Sequence, residues 1–300
     1  MKITVAIVTT GRPATLEEAV RDLKRQTRSP DRIIVSAASA NDVGRTRASG
    51  MHPPIDILIG PKGLTVQRNA VLDALEDEDV ILFLDDDFIM APDFLDKLDA
   101  AFQQNSDIAV MTGNVIADGI KNAGLAPKEA RRLLARAALK APDPDIVDVH
   151  NGYGCNMAFR CAPIRENNLR FDERLPLYGW LEDVDFSRQV AAYGRCVKAM
   201  ALIGVHLGTK GGRTSGRKLG YSQVANPLYL IGRKSMRPSH ALGMISRNVA
   251  ANLAKSFWPE PWVDRRGRLL GNLRAFGDLI RGRLRPEGVF NMDTGSNGTP

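Results

Sequence analysis

Val80-Ile81-Leu82-Phe83-Leu84-Asp85-Asp86-Asp87 is a run of five apolar residues that ends abruptly in three carboxylates. Five is the length of a strand buried on both faces, and the switch to Asp marks where such a strand would leave the core. Pro92 follows and starts a helix to about Gln104. The same rhythm runs upstream. Ile3 to Val8 is a β-branched run that stops at Thr9-Thr10-Gly11, and Pro13 and the capping box Thr15-x-x-Glu18 then open a helix. Arg32 to Ser36 and Ile55 to Ile59 read as further strands, and Thr65 to Leu75 as a helix. Short apolar strands alternating with amphipathic helices predict an α/β fold: a mainly parallel, Rossmann-like sheet with helices on both faces. Ligands of such sheets sit beyond the carboxyl ends of the strands, where Asp85 to Asp87 would lie.

Beyond this block, Ile108 to Val115 and Tyr153 to Arg160 are strand-like and Glu182 to Tyr193 is helix-like. Ala117 to Val149 departs from the rhythm, reads as an insertion, and holds a basic helix around Lys128 to Lys140. With 300 residues, 44% of them hydrophobic, the chain can bury a substantial core, which excludes a disordered scaffold. No apolar stretch approaches the roughly 20 residues of a membrane-spanning helix. The N-terminal run meets Gly11 and Arg12 too soon for a leader's apolar region, so we expect it to be the first strand. Cys155, Cys161 and Cys196 are scattered without a CxxC pair, which argues against a disulfide framework or a zinc site and fits a cytoplasmic setting. The net charge of +7 is uneven. Sixteen Lys or Arg stand against five Asp or Glu from Val205 onward, which leaves the first 204 residues net acidic.

Three crowded carboxylates raise one another's pKa unless a cation neutralises them, and a hard divalent ion with oxygen ligands does so. The plain alternative is a solvated acidic turn whose Asp caps the next helix. Gly63-Leu64-Thr65-Val66-Gln67-Arg68-Asn69 opens a helix on which Arg68 offers a planar fork for a phosphate or for an organising carboxylate; otherwise it is a surface Arg. Tyr178-Gly179-Trp180-Leu181-Glu182-Asp183 sets an aromatic platform beside acids at a helix start, which suits a carboxylate base or simple capping.

Taken in order, the first strand with Thr9-Thr10-Gly11-Arg12-Pro13, then Gly63 to Asn69, then Phe83 to Asp87, then Gly179 to Asp183 resemble the family 2 glycosyltransferases of GT-A fold. The resemblance runs from Met1 to about Gly208. It implies an inverting enzyme that moves a sugar from a nucleoside-diphosphate sugar, UDP-linked by expectation, to a hydroxyl of a glycan, lipid-linked or small-molecule acceptor. Carried over residue by residue, it puts Thr9, Thr10, Arg12, Asp42, Gln67, Arg68, Asp85 and Asp86 at the nucleotide sugar. Asp87 and His206 would hold Mn²⁺ or Mg²⁺, and Lys210 and Arg213 would face the leaving diphosphate from a Gly-rich loop. Gly179 and Trp180 would meet the acceptor, with Asp183 as base and Glu182 supporting it. Without the resemblance, His206 reads as a structural histidine and Lys210 to Lys218 as a basic linker. The acid usual at the end of the family's second strand is missing from Ser36 to Ala40, and Asp42 stands in a shifted position. The implied organisation is a nucleotide-sugar half at 1–115, an acceptor and catalytic half at 116–215, and a basic helical extension at 216–300.

In that extension Leu269, Leu273, Phe276, Ile280 and Leu284 recur at helical spacing among Arg266, Arg274, Arg281 and Arg283. Such a stripe either lies on an anionic membrane, as a peripheral contact on the inner face, or packs on protein, including a homo-oligomer partner. Nucleic acid is not expected, because no recognition motif accompanies the charge. Two other functions fit parts of the pattern: a nucleotide-sugar-binding module without transfer, and a sugar-phosphate nucleotidyltransferase, for which the Gly-rich loop after the first strand is absent.

Overall fold

A computed structural model describes residues 1–48, 50–141, 143–211 and 214–292. The chain divides into two compact units, Met1–Phe171 with Phe186–Gly212, and Asp172–Asp185 with Arg213–Pro300.

The first unit is built on a nine-stranded sheet. Its strands are β1 (Ile3–Thr9), β2 (Arg32–Ala37), β3 (Ile55–Ile59), β4 (Val80–Asp85), β5 (Phe88–Met90), β6 (Ile108–Asp118), β7 (Ile146–Asp148), β8 (Asn156–Arg160) and β9 (Arg195–His206). They lie in the order β3-β2-β1-β4-β8-β6-β9-β5, with β7 also on β9. The β3-β2-β1-β4 block is parallel, as is β6 with β9, whereas β8, β5 and β7 pair antiparallel to their neighbours. The α/β, mainly parallel fold read from the sequence is thus the observed one.

Both faces of the sheet are buried, which explains the nearly continuous apolar strands. Ile3, Val5, Ile7, Val80, Leu82 and Leu84 point to one core, where they meet α1 (Pro13–Leu23) and α3 (Phe94–Gln104). Ala6, Ile81 and Phe83 point to the other, which also contains Val71 and Leu72 of α2 (Leu64–Asp73). Cys161 and Ile164 of α5 (Cys161–Glu166) lie in that second core, and so do Phe186 and Val190 from the later part of α6 (Glu182–Val190). The expected basic helix is α4 (Pro127–Ala137).

The second unit is helical: α7 (Gly216–Gly232), α8 (Pro238–Lys255) and α9 (Arg265–Ile280), with the 172–185 segment. Tyr221, Val224, Ala225, Ile245 and Ala275 make one core, and Leu175, Val184, Leu230, Met236 and Ala241 a second. Helix α9 buries Gly271, Asn272 and Ala275. On the stripe read from the sequence, Leu273 and Ile280 are exposed and Leu269, Phe276 and Leu284 half-buried. No described helix is long and apolar enough to cross a membrane.

Candidate active site

The site begins where β4 runs out. Asp85 is the last residue of β4, Asp86 and Asp87 form a turn, and β5 returns antiparallel to β9 with Phe88 opposite His206. Leu207 N–H donates to the Asp87 carbonyl at 2.9 Å, which fastens the end of β9 to the turn. His206 Nε2 then lies 3.3 Å from Asp87 Oδ1 and 4.0 Å from Asp85 Oδ2. One donor atom from each of Asp85, Asp87 and His206 falls within 4.8 Å of the others, and this is the one such cluster among the described residues. Oxygen and imidazole ligands bind divalent ions at roughly 2.0–2.2 Å, so donors at these separations can share one ion with little rearrangement. Two carboxylates and an imidazole fit a divalent ion such as Mn²⁺ or Mg²⁺.

Behind His206 stands a residue that sequence reading missed. Its Nδ1 lies 2.9 Å from Asp118 Oδ1, and Tyr153 O–H donates to Asp118 Oδ2 at 2.9 Å. The parallel register that sets Asp118 beside His206 creates this contact, which directs Nε2 toward Asp87. Burial works against a charge on His206, but the hydrogen bonds to Asp118 and Asp87 outweigh it and lift its pKa to about 10. Burial would likewise raise Asp87, yet His206, Arg12 and the Thr209 N–H donor at 2.7 Å hold it below the usual carboxylate range.

Asp86 turns the other way. Thr9 Oγ1 donates to its Oδ2 at 2.7 Å, and Arg12 Nη2 is 2.7 Å from its Oδ1 while Nη1 is 3.6 Å from Asp87 Oδ2. Burial dominates its titration and pushes the pKa up to about 7 despite Arg12 and Thr9. Asp85, also raised by burial, is approached by the buried Arg68 at 3.5 Å. Arg68 is held by the Gly154 carbonyl at 2.9 Å and by the faces of Phe83 and Phe171, which fixes its guanidinium beside Asp85.

Thr10, Asp42, Gln67 and Lys210, also named from the sequence, lie in the first unit. Gln67 Nε2 donates to the carbonyls of Thr9 and Ser36, both at 3.0 Å, and its Oε1 accepts from Thr10 Oγ1 at 3.3 Å, tying the ends of β1 and β2 to α2. Asp42 accepts from Gly11 N–H at 2.7 Å and Ser39 Oγ at 3.0 Å, so it fixes the loop after β1. Lys210 Nζ donates to the carbonyls of Gly119 and Ile120 at 3.0 and 3.1 Å, an anchoring contact for the loop after β9. Arg213 lies outside the described residues.

Gly179, Trp180, Glu182 and Asp183 belong to the second unit. There Leu177, Gly179 and Leu181 all have positive φ, at 59°, 59° and 73°. Two leucines in the left-handed region within five residues is a costly arrangement that persists only where the surroundings impose it. Asn226 Nδ2 clamps the Trp180 carbonyl at 2.7 Å, and Glu182 N–H closes the turn on the Gly179 carbonyl at 2.8 Å. Helix α6 thus opens with Glu182 buried and Asp183 partly exposed. Asp185, one turn on, is buried and paired with Arg233 and Ser235.

A mainly parallel α/β sheet whose carboxyl edge sets two carboxylates and an imidazole close enough to share a divalent ion defines the class by its fold and its candidate metal centre. The chain belongs to glycosyl transferase family 2, whose model matches residues 4–167. No curated protein matches it in sequence. Among solved structures it is similar in fold to the mannosyltransferase PcManGT from Pyrobaculum calidifontis in complex with GDP-Man and Mn²⁺, with TM-score 0.57, 15% identity, and 96% of this chain and 85% of that chain covered. S. aureus TarS 1-349 in complex with UDP-GlcNAc gives TM-score 0.55 at 13% identity over 95% of this chain and 83% of that one. A further S. aureus TarS structure matches 86% of this chain at 14% identity and TM-score 0.55, and there this chain spans 44% of the other's length. These likenesses establish the GT-A fold.

Proposed function

We propose that the chain transfers a sugar, with inversion, from a nucleoside-diphosphate sugar to an acceptor hydroxyl. The observation that carries this reading is the Asp85, Asp87 and His206 donor set at the carboxyl edge of a family 2 sheet. A divalent ion bound there would neutralise charge on the departing diphosphate. The protein's own residues do the rest. Arg68 holds Asp85, Asp118 holds His206, and Arg12 with Thr9 holds Asp86, so the acidic edge is set before donor arrives. Thr10, Asp42 and Gln67 would meet the nucleotide, and Lys210 and Arg213 would neutralise the leaving diphosphate. Asp183 is the base: it is partly exposed where Glu182 is buried, and an α6 N-terminus favours its ionised form. It takes the acceptor proton as the new bond forms, and Trp180 and Gly179 offer the acceptor a platform.

We take the donor to be UDP-linked, as in the TarS complex, with a GDP-linked donor as the control suggested by the mannosyltransferase complex. The acceptor class is a glycan, lipid-linked or small-molecule hydroxyl, and the setting is polysaccharide synthesis in the cytoplasm at the inner face of a membrane. The test is a panel of nucleotide sugars with Mn²⁺, read by release of nucleoside diphosphate. Asp183→Asn should bind donor normally and lose at least about a hundredfold in transfer, the scale of a positioned base. Donor binding without turnover by the native chain, whatever the acceptor, would make it a binding module instead. Collapse in Glu182→Gln with near-normal Asp183→Asn would move the base to Glu182.

A further inference from the structure

The second unit exposes apolar surface where a helical bundle normally hides it. Helix α9 meets α7 through small residues: a Cβ on Gly271 would fall 2.1 Å from the Arg217 carbonyl oxygen, and one on Gly220 would fall 2.0 Å from that of Arg268. The packed side is therefore spoken for by Gly271, Asn272 and Ala275. Leu270, Leu273 and Ile280, spaced along the opposite side, look outward, with the half-buried Leu269 beside them. Helix α8 does the same, since Ala241, Ile245 and Asn252 are buried while Leu242 and Leu253 are exposed. It runs into Phe257 and Trp258, whose rings lie 6.0 Å apart and of which Trp258 is 85% exposed. Arg266 Nε donates to the Ser256 carbonyl at 3.0 Å and Arg265 Nη1 to Asn252 Oδ1 at 3.2 Å. These bonds fix the Phe257-Trp258 tip beside the start of α9, where Arg266 shares the side of Leu269 and Leu273.

The border of this face is cationic. Helix α8 holds no carboxylate, and fourteen Lys or Arg stand against four Asp or Glu between Thr214 and Met292. Arg247, Arg266, Arg281, Arg283 and Arg285 are exposed. The nearby acids are engaged: Glu260 by Lys255 and Arg265, Asp278 by Arg274 and Tyr221, and Asp264 as the N-cap of α9.

We propose that the outward sides of α8 and α9, with the Phe257-Trp258 tip, form a docking face for an anionic lipid surface. This deepens the membrane setting given above. Leu, Phe and Trp side chains would enter the headgroup boundary while the arginines meet lipid phosphates. A second copy of the chain fits less well, because a two-fold contact would set this arginine border against itself.

Co-sedimentation of the full chain, without donor, with phosphatidylcholine vesicles and with phosphatidylcholine–phosphatidylglycerol vesicles tests it. Binding should require the anionic lipid, and should fall steeply when salt screens the surface. Trp258→Ser with Phe257→Ser, and separately Arg266→Glu with Arg281→Glu, should each reduce partitioning at least about tenfold. Both pairs should leave donor affinity unchanged, which shows that the variants are folded and separates this inference from the transferase reading. Failure to bind anionic vesicles at low salt overturns the proposal. So does a concentration-dependent dimer in sedimentation equilibrium that Leu273→Asp dissociates, since the face would then be covered by a second copy.

Discussion

The turn after β4 and the outward sides of α8 and α9 depart from ordinary burial in opposite directions. At and beside the turn, Asp86, Asp87 and His206 are at most 5% exposed, so the molecule buries charge; Trp258 just past α8 and Ile280 at the end of α9 are 85% and 87% exposed, so it leaves apolar surface in water. Buried charge is tolerable only when paired, and every member of the turn has its counterpart within the chain: Arg12 and Thr9 for Asp86, His206 for Asp87, Asp118 for His206. Exposed apolar surface forgoes roughly 25 cal/mol for each Å² left wet, and none of the described residues covers it. One region pairs its buried charges within the chain. The other leaves its apolar side chains without cover among the described residues.

The comparison breaks most visibly at Asp87. Replacing it with Ala removes one of two carboxylate donors and the partner of His206, so metal-dependent donor binding should be abolished, whereas Trp258→Ser should leave it intact. Calorimetric titration of a UDP-sugar with and without Mn²⁺ reads both. Unchanged affinity and metal dependence in Asp87→Ala would take Asp87 out of the site.

Asp118 sharpens the same contrast at smaller scale. It touches no ligand in this reading and acts by aiming His206, and carboxylates of that kind typically carry ten- to a hundredfold in metal affinity. Asp118→Asn should therefore weaken Mn²⁺ binding by about that factor, and Tyr153→Phe by less, with thermal stability little altered. Mn²⁺ affinity unchanged within about twofold would leave Asp118 as no more than the cap of the 119–121 turn, where it also accepts from Ile120 N–H.

Legibility followed the range of the signal. β4 with its carboxylates, the Gly63 to Asn69 helix start and the Gly179 to Asp183 turn are local patterns, and each reads correctly from a few neighbours. Asp118 has no local signature, since its partner is 88 residues away and meets it only through the β6 and β9 register. β9 escaped notice because its burial does not alternate cleanly and its pairing with β6 shifts register near Gly113 and Val115. Helix α7 carries Gly216, Gly220, Pro227 and Gly232, poor helix formers individually, and is held by burial of Tyr221, Val224 and Ala225. The stripe on α9 was legible as a stripe, but which side of the helix packed was not. That choice rests on Gly271 and Gly220 allowing two backbones to touch, a property of the pair and not of either sequence alone.

The smallest effect comes from that helix and tests the exposed region from within. Two substitutions two residues apart should behave oppositely to what hydrophobicity suggests. Gly271→Ala improves helix propensity, yet its methyl would land 2.1 Å from a backbone oxygen of α7 that cannot swing aside. The helices must part, at a cost of about 1–3 kcal/mol. Leu273→Gln removes an apolar side chain that is 58% exposed and puts in a residue of nearly equal helix propensity, so stability should stay within about 0.5 kcal/mol. Urea unfolding of the two variants in parallel measures both. If Leu273→Gln proved as destabilising as Gly271→Ala, Leu273 would be covered in solution by protein, and the outward side of α9 would already have its partner without any lipid.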